Sequence, residues 1–104
     1  MMHTTYQLFF GRNIPQRPEA LSTVSGDDFA DFLTSTVNRY FDSWTVTEGT
    51  SCWKGEPEDV FILTIIADSY EAALEVRAIA NLYKQSFSQD AVLINSFRSD
   101  ALLV

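Results

Sequence analysis

The sequence is poor in the residue types from which small chemical sites are often built. It holds one cysteine, Cys52, and one histidine, His3, in 104 residues. A lone cysteine can form no intrachain disulfide, which suits a reducing compartment. With no histidine to activate it, Cys52 reads as a small buried hydrophobe of a strand. His3 lies beside the N-terminus, where a chain frays, so a Ser-His-Asp set or a histidine-based metal site has no ordered ligand to start from. The four glycines do not cluster, which excludes a Gly-rich phosphate loop. Basic residues are scarce as well. Seven Lys and Arg stand against 14 Asp and Glu, a formal net charge of -7. Such a surface repels polyphosphate, and a general nucleic-acid binder is excluded on that ground.

Long apolar runs are also missing. The longest, "VFILTIIA", is far short of the roughly 20 residues that span a bilayer. The opening "MMHTTYQLFF" lacks the basic start and cleavage site of a signal peptide. The expectation is a soluble cytoplasmic protein with no membrane, nucleic-acid, metal or cofactor partner.

What the chain does have is an ordinary globular balance, 46% hydrophobic and 20% charged. Its length fits a single α+β domain over residues 1–104. Residues 4–10 are β-branched or aromatic and predict a first strand ended by Gly11. Residues 12–26, with two prolines, predict a loop holding at most a turn of helix. Ser25 is a good N-cap for a first helix, with Asp28 placed to reach back. Its apolar stripe is Phe29, Phe32, Leu33, Val37, Tyr40 and Phe41, ending near Asp42.

Alternation from Trp44 predicts a second strand, bulged at Gly49 and resuming through Trp53. "KGEPE" is a turn. "DVFILTIIAD" is apolar on both faces and predicts a central third strand. Asp68 and Glu71 suggest a capping box for a second helix with the stripe Ala72, Val76, Ile79, Ala80, Tyr83 and Phe87. "DAVLINSF" predicts a fourth strand, followed by the apolar tail "RSDALLV". The order βαββαβ predicts a ferredoxin-like sandwich, with an antiparallel sheet of order 4-1-3-2 and both helices on one face. The short turn between strands two and three demands a hairpin and argues against a parallel sheet.

"YQLFFGR", "FADF", "WTVTEG" and "YKQSFSQDAVL" resemble a family of uncharacterised bacterial proteins defined as a domain of unknown function. Its members share a Leu-x-Phe-Gly-Arg opening, a Leu-Thr-Val-x-x-Gly segment and a Tyr-Lys-x-x-Phe-x-Gln-x-x-Val stretch. Trp44 stands where the family tends to leucine. Many relatives begin with a secretion signal, and the start of this chain does not read as one. The resemblance implies the fold and carries no activity.

Topology brings one set of residues to one edge of the sheet. Arg12 and Asn13 end strand one there, Trp53 and Lys54 form the hairpin, and Gln89 follows helix two. Arg12 beside a helix N-terminus could grip a small anionic ligand. It could equally pair with Asp27, Asp28 or Asp90 and lock the corner. Gly11 would allow either a close approach or a positive φ beside it.

The first functional reading is therefore a homodimeric interaction or structural module. The second is an anionic small-molecule site, with or without catalysis, at Arg12, Asn13, Trp53, Lys54 and Gln89 or in a dimer cleft. The dimer expectation rests on the open face of the sheet. With Tyr6, Leu8 and Phe10 assigned to the helices, Phe9 and the Ile62–Ile66 row are left facing water, an apolar patch larger than monomers usually tolerate. The tail "ALLV" is the rival cover.

Overall fold

The computed structural model describes residues 2–14 and 23–104. Four antiparallel strands form one sheet in the order β2-β3-β1-β4, the predicted order read from the other edge. They are β1 (Met2–Gly11), β2 (Thr45–Trp53), β3 (Glu56–Ala67) and β4 (Leu93–Asp100). Two helices, α1 (Gly26–Ser35) and α2 (Ala72–Phe87), complete the α+β architecture. The long loop after β1, and any helical turn within it, lies at 15–22 outside the described residues.

Alternation decides which side of the sheet is covered. Leu8 and Phe10 of β1, and Phe61, Leu63 and Ile65 of β3, are buried in the core with Tyr6 packed against them. Phe29 and Phe32 of α1 and Tyr83 of α2 all make ring contacts with Phe10. Both helices thus cover the same face. The α2 stripe is seated as its spacing predicts, with Val76 and Ile79 almost fully buried. The opposite face carries Thr5, Gln7, Phe9 and Gly11 of β1 and Val60, Ile62, Thr64 and Ile66 of β3, cross-strand partners by register.

Several boundaries differ from the pattern. Helix α1 stops at Ser35, and a short 3-10 turn, Val37–Arg39, carries the rest of the stripe. The Thr34 and Ser35 hydroxyls donate back to the Ala30 and Asp31 carbonyls, an arrangement that weakens a helix at its end. Ser25 does cap α1, its Oγ accepting from the Asp28 amide at 3.0 Å. Helix α2 has no side-chain cap, so the Asp68–Glu71 capping box does not form. Instead α2 ends on Ser88, which takes the left-handed conformation at φ 54.

Gly49 makes no bulge. The β2–β3 register runs unbroken from Thr45↔Thr64 to Trp53↔Glu56. Lys54 and Gly55 close that hairpin with φ 50 and 81, the paired positive values a two-residue turn needs to match strand twist. Strand β4 begins later and ends later than its composition suggested, because its ladder with β1 pairs Phe9↔Leu93 through Met2↔Asp100. His3 accordingly lies within a paired strand, opposite Ser99, and not in a frayed end. Cys52 is exposed, not buried. It sits opposite Pro57 near the hairpin tip, past the reach of the helices. The last residues do not fold over the open face: Leu102, Leu103 and Val104 are all exposed. Among the described residues no helix is long and apolar enough to cross a membrane.

Candidate functional site

Residue 12 marks where the chain divides the expected site between two faces. The Arg12 amide donates to the Asp59 carbonyl at 3.0 Å and prolongs the β1–β3 ladder. Its side chain turns to the covered face. Nε donates to the Val24 carbonyl at 3.0 Å, while the Val24 amide donates to the Arg12 carbonyl at 2.7 Å. The guanidinium lies over the Phe61 ring, 4.3 Å from its centre, and one of its nitrogens meets Glu48 Oε1 at 3.3 Å. Arg12 therefore clamps the segment entering α1. Its acidic partner is Glu48, and none of Asp27, Asp28 or Asp90, because the hairpin register sets Glu48 opposite Phe61 on the covered side. Glu48 is 71% exposed, so the pair itself contributes little, and the stacking and the Val24 bond matter more.

The other four expected residues stay together. Asn13, Trp53, Lys54 and Gln89 line a cleft of about 620 Å³ at the hairpin end of the open face, with Phe9, Val60 and Leu93 as apolar walls. That volume suits a metabolite-sized ligand. Gln89 holds the two sides of this end together, its Nε2 donating to the Asn13 carbonyl at 2.7 Å. Trp53 is 57% exposed, and Lys54 Nζ lies over its ring, 5.8 Å from the centre.

The residue that the sequence did not single out is Glu58. It shares the cleft with Gly11, Glu56 and Asp90. The Asn13 amide donates to Glu58 Oε2 at 3.1 Å. A Cβ on Gly11 would stand 2.6 Å from that same oxygen. Gly11 has no positive φ, so of its two expected uses the close approach is the one found: a bare strand position over which a carboxylate folds. Among the described residues Glu58 forms no ion pair, and Lys54 is the cleft's one basic side chain against Glu56, Glu58 and Asp90.

Directly behind Gly11, the Tyr83 hydroxyl donates to its carbonyl at 2.7 Å from within the core. Burial, reinforced by the Glu58 charge and opposed by Arg12, holds the Tyr83 phenol well above its ordinary value, so it stays a neutral donor. Gly11 is thus gripped from one face and covered by a carboxylate on the other. Among the described residues no three His, Cys, Asp or Glu side chains are placed to share a metal ion. The signal that could have found Glu58 is the hairpin. A two-residue turn at Lys54-Gly55 fixes Ser51↔Glu58 and hence the open face for that side chain.

The fold has solved counterparts. A phage SAM lyase in complex with S-methyl-5'-thioadenosine superposes with a TM-score of 0.62 at 18% identity, covering 95% of this chain and 90% of that one. The phage SAM lyase in its apo state gives a TM-score of 0.60 at 14% identity, covering 99% and 93%. At these identities the likeness concerns the fold. No curated protein matches the chain. A family model matches residues 5–101, a span that contains all the quoted motifs, and the chain belongs to that family, described as a protein of unknown function (DUF3574).

Proposed function

We propose that the chain is a small-molecule-binding protein whose site is the open-face cleft, and that its ligand is a cation with an apolar or aromatic body. The reading is carried by one observation: the Glu58 carboxylate folded onto bare Gly11 and held by the Asn13 amide, with no ion pair among the described residues. A carboxylate fixed by a backbone donor at the end of a half-apolar cleft is a ready anchor for a positive group. The exposed Trp53 face adds a cation–π platform. Glu56 and Asp90 deepen the negative potential.

This ordering reverses the expectation that an interaction module comes first. It also replaces the anionic ligand, since the guanidinium meant to hold an anion is spent on Val24, Phe61 and Glu48. We read the topology as the ferredoxin-like sandwich, on the strand order and the shared helix face. The solved counterparts include a SAM lyase, and SAM, a sulfonium joined to a nucleoside, has the proposed ligand chemistry. Fold likeness alone would not choose it.

The test is a thermal-shift and calorimetric panel with SAM, S-methyl-5'-thioadenosine, a simple aryl-ammonium and two anions, citrate and ATP. A cation at 100 times its dissociation constant adds about 2.7 kcal/mol of stability. Glu58→Gln abolishes that gain while leaving the melting temperature of the free protein within a degree or two. Release of S-methyl-5'-thioadenosine from SAM in the same mixtures reports catalysis. Stabilisation by the anions and not by the cations overturns the reading.

A further inference from the structure

We infer that a second copy of this chain packs on the open face about a two-fold axis running across the strands along the Gln7–Asn95 row, and that it completes the cleft with its His3. The open face is built in rows. Gln7, Asn95, Thr64 and Thr45 form a polar middle row by register, tied by the Asn95 amide donating to Gln7 Oε1 at 3.4 Å. On its hairpin side lies the apolar row Phe9, Ile62 and Leu93, and on the other side Ile66 and Phe97 flank Thr5. Leu93, Phe97 and Ile66 are roughly half exposed. Across these three rows there is no charged side chain, in a protein whose net charge is -7. That neutral strip is where two like-charged copies can meet, and it offers nothing to attract a partner of opposite charge.

The rival cover is out of place, since Leu102, Leu103 and Val104 are exposed and leave the face bare. The area suffices. Four strands about 4.8 Å apart and about ten residues long at roughly 3.3 Å each give a flat face of about 600 Å². With side-chain relief this approaches the roughly 800 Å² per partner of a stable interface.

Charge also selects the axis. A two-fold along the strands would lay the carboxylates at the cleft end, Glu56, Glu58 and Asp90, against their own copies. A two-fold along the polar row sends them to opposite ends of the dimer. It sets Leu93 against the partner's Phe97, Ile62 against the partner's Ile66, and polar row on polar row, a self-complementary match. By the same rotation, position 11 of β1, four residues beyond Gln7, meets position 3, four residues before it. The partner's His3 then lies over Gly11, where Glu58 rests. The cleft is open on that side in one copy alone, and this is the piece it lacks.

Two measurements need no ligand. Sedimentation at tens of micromolar gives a dimer, and Phe97→Asp, outside the cleft, gives a monomer with unchanged far-UV circular dichroism. On a Cys52→Ser background, His3→Cys combined with Glu58→Cys is joined between chains by a short bismaleimide. Within one chain the two positions stand at opposite ends of the sheet, about 30 Å apart over about ten residue steps at roughly 3.3 Å each. A monomeric wild type overturns the inference, and so does a dimer that this pair fails to link. The third arm rests on the proposed ligand reading: with SAM as probe, His3→Ala weakens binding about tenfold while the dimer persists. Unchanged SAM affinity in His3→Ala removes His3 from the site. If SAM leaves the wild type unshifted, the ligand reading fails for that cation, and the sedimentation and crosslinking results still decide the dimer.

Discussion

The two faces of one sheet treat their polar groups in opposite ways. On the covered face Tyr83 and Arg12 are both committed. Tyr83 bonds Gly11, Arg12 bonds Val24 and stacks on Phe61, and a chain of rings from Phe61 through Phe29, Phe32 and Tyr83 to Phe87 fills the space between. On the open face the carboxylates of Glu56, Glu58 and Asp90 and the ring of Trp53 border a cleft. Glu58 is held there by the Asn13 amide, and Lys54 Nζ lies over the Trp53 ring. The face a residue occupies decides what it can reach: Arg12, the most conspicuous cation, holds the covered corner, and the carboxylate proposed as the anchor of the cleft is a glutamate unmarked in sequence.

The contrast breaks most sharply at a pair of phenylalanines. Phe10 is fully buried and touches the rings of Phe29, Phe32 and Tyr83. Phe10→Ala costs about 3–5 kcal/mol, the transfer loss plus a cavity that rigid neighbours cannot fill. Phe97, 46% exposed on the open face, costs under about 1 kcal/mol on the same change in the monomer. Urea denaturation of both variants at one protein concentration measures the difference. Equal losses would mean that Phe97 is buried in solution, as the dimer requires at high concentration, and dilution then separates the two.

Tyr83 comes next. Removing its hydroxyl leaves the Gly11 carbonyl without its buried donor, and Tyr83→Phe costs about 1–3 kcal/mol. The pH dependence has a definite sign. The folded phenol titrates above its ordinary value of 10.0, so above pH 10 the unfolded chain binds fewer protons than the folded one. Stability then falls as pH rises beyond that point. Tyr83→Phe flattens this fall. A variant that loses stability along the same alkaline slope as the wild type would show that Tyr83 titrates normally.

The strands and the covered face were legible because their signals are local. Alternation in β1 depends on neighbours two residues away and sets Leu8 and Phe10 on one face, while the doubly apolar run of β3 marks a central strand and leaves the choice of its covered face to the register Phe10↔Phe61. The α2 stripe is local in the same sense. What failed depends on register across the sheet. Strand β4 is placed by pairing with β1, so its composition misplaced it by about three residues. Cys52 looked buried because its strand is, yet the hairpin tip outruns the helices. Glu58 and Glu48 are unmarked in sequence. Only the pairing of a turn at Lys54-Gly55 with the end of β1 brings one to Gly11 and the other to Arg12. The expected site residues Asn13, Trp53, Lys54 and Gln89 do converge, since topology alone fixes which strand ends share an edge. Topology does not say on which face each side chain emerges, and that is where Arg12 parted from them.

Arg12 separates stacking from charge. Arg12→Ala loses the Phe61 contact and the Val24 bond and costs about 1–2 kcal/mol. Glu48→Gln, at the exposed end of the same pair, changes stability by less than about 0.5 kcal/mol. Raising the salt concentration leaves the Arg12→Ala loss nearly unchanged if stacking and the carbonyl bond dominate. A loss that vanishes in molar salt would return the residue to an electrostatic role.

The smallest effect on stability is expected at the position that both faces share. In Gly11→Ala the new methyl stands within 2.6 Å of Glu58 Oε2, so the carboxylate must leave. The atom displaced is the end of a flexible, half-buried side chain, and swinging it into water costs little. Alanine also removes backbone freedom from the unfolded chain, a gain of about 0.4–1 kcal/mol where the native conformation suits it. These terms nearly cancel, and the melting temperature should stay within about two degrees of the wild type. The grip of Tyr83 on the Gly11 carbonyl lies on the other face and is untouched. The cleft, by contrast, loses its anchor, and the cation-induced thermal shift should disappear as completely as in Glu58→Gln. The double variant Gly11→Ala with Glu58→Gln should then lose no more than either single one, because both remove the same seated carboxylate. A Gly11→Ala protein that still binds the cation would show that the charge need not rest on the glycine, and the close approach would be packing without function.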